Sequence, residues 1–153
     1  MSSTLPSLKG RKDYKMDPKN RVAVPPEWRP NAGEQLHLLL SQSYNLPVIK
    51  VLTEAEYVQR VADVENHAGL NQAQKRKVLG RLALNCIEAS VNPQGKLLVP
   101  REWCAAAQLA ADMPVVLAGR GTYFEIWNVE NFAAMAALET AETDELNADL
   151  DIF

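Results

Sequence analysis

Apolar residues along this chain come mostly in short runs fenced by turn-forming residues, a pattern that predicts strands more often than helices. Arg21-Val-Ala-Val and Lys96-Leu-Leu-Val read as short strands. Each follows a polar turn, Asp17-Pro-Lys-Asn in one case and Asn92-Pro-Gln-Gly in the other. Asp, Asn, Pro and Gly suit such turns because they accept fixed or left-handed backbone angles. Each strand runs into a proline. Pro25-Pro-Glu-Trp and Pro100-Arg-Glu-Trp then read as the first turn of a brief helix, where a missing amide costs nothing. Two hairpins are expected next. One joins His37-Leu-Leu-Leu to the run from Pro47 to Leu52 around Tyr44-Asn45; the other joins Met113-Pro-Val-Val-Leu to the run from Tyr123 to Trp127 around Gly119-Arg-Gly121.

Helices are predicted after each hairpin. Thr53-Glu-Ala-Glu56 has the spacing of a capping box, in which threonine and glutamate satisfy orphan amides reciprocally. Asn128 is the cap of a second helix running through Phe132 and Met135. Between them a further helix is expected from about Asn71 to Glu88, with an apolar face of Val78, Leu79, Leu82, Leu84 and Ile87. The last dozen residues are acidic and are expected to fray.

These elements come in two matching sets. Sliding the chain by 75 residues lays MDPKNRVAVPPEW (Met16 to Trp28) on VNPQGKLLVPREW (Val91 to Trp103) without a gap. Pro18, Val24, Pro25, Glu27 and Trp28 recur as Pro93, Val99, Pro100, Glu102 and Trp103. Arg21 meets Lys96, which keeps the charge; Asp17 meets Asn92, which keeps the shape and loses it. The same offset aligns Leu38 with Met113, Leu40 with Val115, Val51 with Ile126, Leu52 with Trp127 and Tyr57 with Phe132. A half of about forty-five residues is too small for a sound core of its own, so the copies are expected to pair with pseudo-twofold symmetry inside one chain.

Composition changes the picture mainly through charge. The net charge of -3 argues against a nucleic-acid partner only if it is spread evenly, and it is not. Between Lys9 and Arg29 seven basic residues face three acids, whereas six acids and no lysine or arginine lie from Glu139 to the end. The head is therefore a candidate anion-binding surface. The beginning of the chain lacks the apolar stretch of a signal peptide, and no window approaches a membrane span. Cys86 and Cys104 lack metal-type spacing and read as reduced, buried thiols of a cytoplasmic protein.

Candidate chemistry follows from the paired turns. Short ribbons carrying Arg and Lys lie well against a duplex, and an Arg paired bidentately with guanine discriminates by about 1–3 kcal/mol. Arg21 is thus the better base reader, with Lys15, Lys19 and Lys96 as further DNA-binding candidates and Asp17 and Asn92 as supports of the two turns. Acid and base four residues apart around a turn also suit plain loop ordering, and Asp17 could serve both ends by holding Arg21 pre-aimed. Trp28 and Trp103 read as core residues, and Lys75 to Lys77 as a solvated helix start. His37 and His67 have no metal-type spacing, and no nucleophile elbow, phosphate loop or paired-acid motif is present. The expectation is a protein that is not an enzyme and needs no cofactor, metal, small-molecule substrate or membrane.

These residues resemble the MraZ family of bacterial transcriptional regulators, which carry two SpoVT-AbrB modules with an Asp-x-x-x-Arg motif in each. Asp17-Pro-Lys-Asn-Arg21 matches the first motif, with Gly10 seven residues upstream where the family places a glycine; Lys75-Arg-Lys-Val-Leu79 and Phe124-Glu-Ile-Trp127 match further stretches. The second motif departs, reading Asn92-Pro-Gln-Gly-Lys96, as do Asn20, Gly80 and Arg81. The resemblance implies an α+β fold of two tandem AbrB-like swapped-hairpin β modules forming an intrachain pseudo-dimer with flanking helices. Its modules fall at 11–58 and 86–133, with connecting helices at 59–85 and a helix end and acidic tail at 134–153. It also implies a cytoplasmic, nucleoid-associated regulator, expected to repress its own operon in the division and cell-wall gene cluster. Such a regulator would form a ring-like homo-oligomer and bind short direct repeats of double-stranded promoter DNA through Arg21 and, more weakly, Lys96. The rival reading is an antitoxin-like interaction module of the same fold, using its acidic tail and binding DNA weakly.

Overall fold

The computed structural model describes residues 8–153; the start of the stretch read for a signal peptide, residues 1–7, lies outside them. The first set of elements is β1 (Arg11–Lys15), β2 (Arg21–Ala23), a 3-10 turn (Pro26–Trp28), β3 (Leu36–Ser43), β4 (Leu46–Leu52) and α1 (Glu54–Glu65). After α2 (Gln72–Leu84) the order repeats as β5 (Cys86–Ala89), β6 (Lys96–Leu98), α3 (Arg101–Ala106), β7 (Pro114–Gly119), β8 (Tyr123–Asn128) and α4 (Val129–Leu150). The fold is α+β, with antiparallel pairing between the strands.

The repeat is expressed as an exchange. The larger sheet runs β1-β7-β8-β4-β3-β5, an order that reverses onto itself when the copies are interchanged. The leading strand of each copy leaves its own hairpin for the other's: β1 pairs with β7, Tyr14 opposite Val115, and β5 pairs with β3, Ile87 opposite Leu38. The hairpins meet through β4 and β8, where Val51 lies opposite Phe124. Neither copy could close its sheet alone.

Alternation along the strands sorts residues to two faces. Leu36, Leu38, Ile49, Val51, Val115, Leu117, Phe124 and Ile126 point inward and are fully buried against Val22, Val24, Leu97 and Val99 from β2, β6 and the residues that follow them. Trp28 joins this core, its ring 5.2 Å from that of Phe124, and Trp103 packs at its edge. Trp28 is thus a core residue, as its position after the prolines suggested, while Trp103 is partly buried against the same core. On the opposite face, α4 covers Val48, Val116 and Trp127 with Phe132 and Met135. That face also buries Glu125, whose carboxylate accepts from Arg120 Nε at 2.9 Å and Trp127 Nε1 at 3.0 Å.

Four local expectations need correction. The middle helix stops at Leu84, because the Asn85 amide and side chain turn back onto Arg81 and Leu82 carbonyls; Ile87 and Glu88 belong to β5, whose backbone is claimed by β3. Thr53 caps α1 by accepting from the Glu56 amide, but Glu56 turns its carboxylate to Thr122 and Arg60 instead of completing a box. A reciprocal box is formed by Asn71 and Gln74 at the start of α2. The acidic end does not fray: α4 continues to Leu150, with Arg120 gripping Glu139 through two hydrogen bonds and Asn147 capping the last turn. Cys104 is buried but Cys86 is only half-buried, and burial raises both thiol pKa values, with Glu88 adding to the effect at Cys86.

Candidate nucleic-acid interface

The polar turns end in a separate two-stranded ribbon, in which β2 and β6 pair antiparallel with Arg21 opposite Leu98 and Ala23 opposite Lys96. Each turn is built alike. The Asp17 amide donates to the Arg21 carbonyl at 2.8 Å, and the Asn92 amide to the Lys96 carbonyl at 2.8 Å. The residue before each basic side chain takes a left-handed backbone, Asn20 at φ 60° and Gly95 at φ 79°. Asparagine tolerates that region and glycine enters it without strain, so the substitution between copies leaves the turn unchanged. The carbonyl of each left-handed residue then accepts from the far strand, Val99 bonding to Asn20 and Val24 to Gly95.

The side chains at the head of each turn repeat the backbone logic. Asp17 Oδ1 accepts from the amides of Lys19 (2.8 Å) and Arg21 (2.9 Å), and Asn92 Oδ1 accepts from the Lys96 amide at 2.9 Å. Losing the negative charge in the second copy therefore preserves the amide acceptor. The difference lies in the other oxygen. Asp17 Oδ2 takes Arg21 Nε at 2.8 Å, and Lys96 Nζ approaches the same oxygen at 3.4 Å from across the ribbon. Burial works against ionisation of Asp17, but the Arg21 and Lys19 amides and the Arg21 guanidinium outweigh it and hold the carboxyl well below the ordinary carboxylate range.

The loop-ordering role of Asp17 and Arg21 is thus present in the geometry. It leaves chemistry in reserve: only Nε among the Arg21 side-chain nitrogens hydrogen-bonds to a described residue, so the two terminal nitrogens keep their donors on a side chain about a third exposed. Lys19 is exposed in the same turn, and Lys15 is exposed at the end of β1; neither forms an ion pair with a described residue. Other members of the basic head are committed elsewhere, Arg11 to Asp13 and Lys12 to Glu27. The structure therefore unites Asp17, Arg21 and Lys96 in one cluster, and Asn92 supports it through the Lys96 backbone.

One basic residue at the ribbon was counted in the head but not singled out from sequence. Arg29 donates from Nε to the Val24 carbonyl at 2.8 Å and lays its guanidinium against Gly95. The signal available was the repeat itself, since Arg29 falls on Cys104, a position where the copies differ in charge.

No family model matches the chain. A protein of Bifidobacterium longum called transcriptional regulator MraZ is 31% identical over 140 residues, spanning 90% of this chain and 87% of the relative. The chain belongs to the MraZ family. Further MraZ relatives are 29% identical in Nitratidesulfovibrio vulgaris, across 95% of this chain and 96% of the relative, and 29% identical in Polaromonas, across 85% and 88%. Family membership accounts for both copies at once, because the match with each of these MraZ relatives extends over most of the chain. Among the described residues no helix is long and apolar enough to cross a membrane, and no group of three or more His, Cys, Asp or Glu is placed to hold a metal.

Proposed function

We propose that this MraZ-family chain is a sequence-specific DNA-binding regulator of transcription, acting in the cytoplasm at the nucleoid. It represses its own operon in the division and cell-wall cluster by binding short direct repeats in the promoter. One observation carries the reading: a cation from each copy converges on Asp17 at the β2–β6 ribbon, with the Arg21 fork left for an outside acceptor. Arg21 reads a base edge, Lys96 and the exposed Lys15 and Lys19 neutralise phosphates, and Asp17 and Asn92 hold the two turns. The relatives' name, transcriptional regulator, supports the same assignment.

Self-assembly into a ring belongs to this proposal. Its support is the apolar surface that the chain leaves uncovered on α2 and β5: Val78 is exposed in a groove formed with Leu39, Leu40 and Pro47, and Leu84 and Ile87 are exposed elsewhere on the same two elements. A ring offers many ribbons to a row of repeats, so weak single contacts add through effective concentration.

The deciding experiment is a salt-titrated shift assay on the DNA upstream of the protein's own gene. Specific binding should weaken steeply with salt as neutralised phosphates release counterions. Equal affinity for that DNA and for random duplex at every salt concentration would overturn the specific reading. The antitoxin-like alternative keeps one supporting feature, the exposed Leu146, Leu150, Ile152 and Phe153 at the acidic end. It predicts capture of a small protein partner through that end, with DNA binding unaffected by removing it.

A further inference from the structure

We propose that Arg29, a residue of the first copy, supplies the phosphate-binding guanidinium of the second copy's turn; this rests on the DNA-binding reading above. The second turn lacks an arginine of its own, and its Lys96 leans away to the first copy's Asp17. Arg29 stands in that gap. It leaves the chain just after Trp28, is anchored by Nε to the Val24 carbonyl, and lies over the backbone of Gly95, the residue next to Lys96. A Cβ built on Gly95 would meet the guanidinium carbon at 2.6 Å and the nearer terminal nitrogen closer still. A side chain at that point would push the guanidinium aside.

The equivalent site in the first turn is built differently. There Cys104 occupies the position of Arg29, is buried, and sends its thiol to the Val99 carbonyl at 3.7 Å, while Asn20 stands where Gly95 does. Both side chains thus address the carbonyl at the end of their own copy's strand, but only Arg29 carries a charge onward to the surface. Its two terminal nitrogens make no hydrogen bond to a described residue, and the side chain has no ion pair among them. A guanidinium held by Nε and flat against backbone keeps a two-donor fork that matches phosphate oxygens. The ribbon would then carry one guanidinium at each end, Arg21 from the motif and Arg29 from outside it.

The test uses the full chain with its own upstream DNA and with random duplex, across a salt series. Arg29→Ala should weaken both about equally, by roughly five-fold or more, and make the salt dependence shallower by about one phosphate per bound chain. Arg29→Lys should restore the salt dependence. Gly95→Asn keeps a residue that tolerates the left-handed turn, as Asn20 does, yet its Cβ displaces the guanidinium. It should copy the loss seen in Arg29→Ala, and the double variant should lose no more than either single one. Unchanged affinity and salt slope in Arg29→Ala, with a normal melting temperature, would overturn the assignment. Arg21→Ala run in parallel separates the two ideas. If it abolishes specific binding while Arg29→Ala does nothing, only this inference fails; if the unsubstituted protein prefers no DNA, the functional reading fails with it.

Discussion

Lys96 reaches across the ribbon to Asp17, placing its ammonium 3.4 Å from the oxygen that already holds Arg21. The contact joins residues 79 apart in sequence and makes one charged cluster from two turns. It also makes the turns unequal. Arg21 is fixed at Nε and keeps a planar fork, while Lys96 spends its point charge on a carboxylate it shares.

That inequality sets the first expectation. Arg21→Ala should reduce specific affinity by about ten-fold or more, as loss of a bidentate base contact does. Lys96→Ala should cost less and should act alike on specific and random DNA, because an ammonium offers no fork. Both variants should keep the unsubstituted circular-dichroism spectrum. Equal losses of specific affinity in fluorescence anisotropy would contradict the asymmetry.

The depressed Asp17 carboxyl gives a pH expectation with a definite sign. Its folded pKa lies below the ordinary unfolded value of about 3.9, so its contribution to stability is fully present above that value and is lost as pH falls through the folded one. Asp17→Asn keeps the amide acceptor, as Asn92 shows, and removes both the charge and the oxygen that accepts from Arg21 Nε and Lys96. The stability gap between the two proteins in urea melts should therefore be constant from about pH 7 to pH 5 and shrink progressively at more acid values. A gap that grew on acidification would refute the assigned cause.

Much of this arrangement was legible in the sequence, for a reason specific to the elements concerned. Hairpin strands such as β4 and β8 alternate inward and outward residues, and the turns use Asp17, Asn20, Asn92 and Gly95 where the backbone demands them. The readings that failed depended on distant partners. Cys86 to Glu88 looks like the end of a helix until β3 offers a ladder, and Glu56 suits a capping box until Thr122 and Arg60 compete for its carboxylate. The placement of Lys96 beside Asp17, and of Arg29 over Gly95, likewise requires the exchange of strands between copies to be known. Neither follows from spacing along the chain.

The grip of Arg120 on Glu125 and Glu139 predicts how the acidic helix is held. Glu125 is 1% exposed and depends on Arg120 and Trp127 for its hydrogen bonds. Arg120→Met strands that buried carboxylate and should destabilise the fold by about 3–5 kcal/mol, whereas pairing it with Glu125→Leu should recover much of the loss. The same substitution releases Glu139, so α4 should show faster amide exchange near that residue. Chemical denaturation of the two variants decides the first point, and hydrogen exchange the second.

Assembly can be probed where the chain leaves its own apolar residues uncovered. Val78 lines the groove from α2 with 44% of its surface exposed, and Leu84, at 82%, ends the same helix outside the groove. Neither contributes to the buried core, so replacing them costs little folding energy; exposed substitutions usually fall within about 0.5 kcal/mol. Placing a charge on a surface that is buried in an oligomer carries a far larger desolvation penalty. Val78→Glu should therefore lower the sedimentation coefficient toward that of a single 17.0 kDa chain while leaving the melting curve of the isolated chain unchanged. If a ring is what gathers weak ribbons onto repeated DNA sites, the same variant should bind a single repeat normally and lose its advantage on a multi-repeat promoter. Retention of both the large assembly and the multi-repeat preference would exclude this face as the contact between copies.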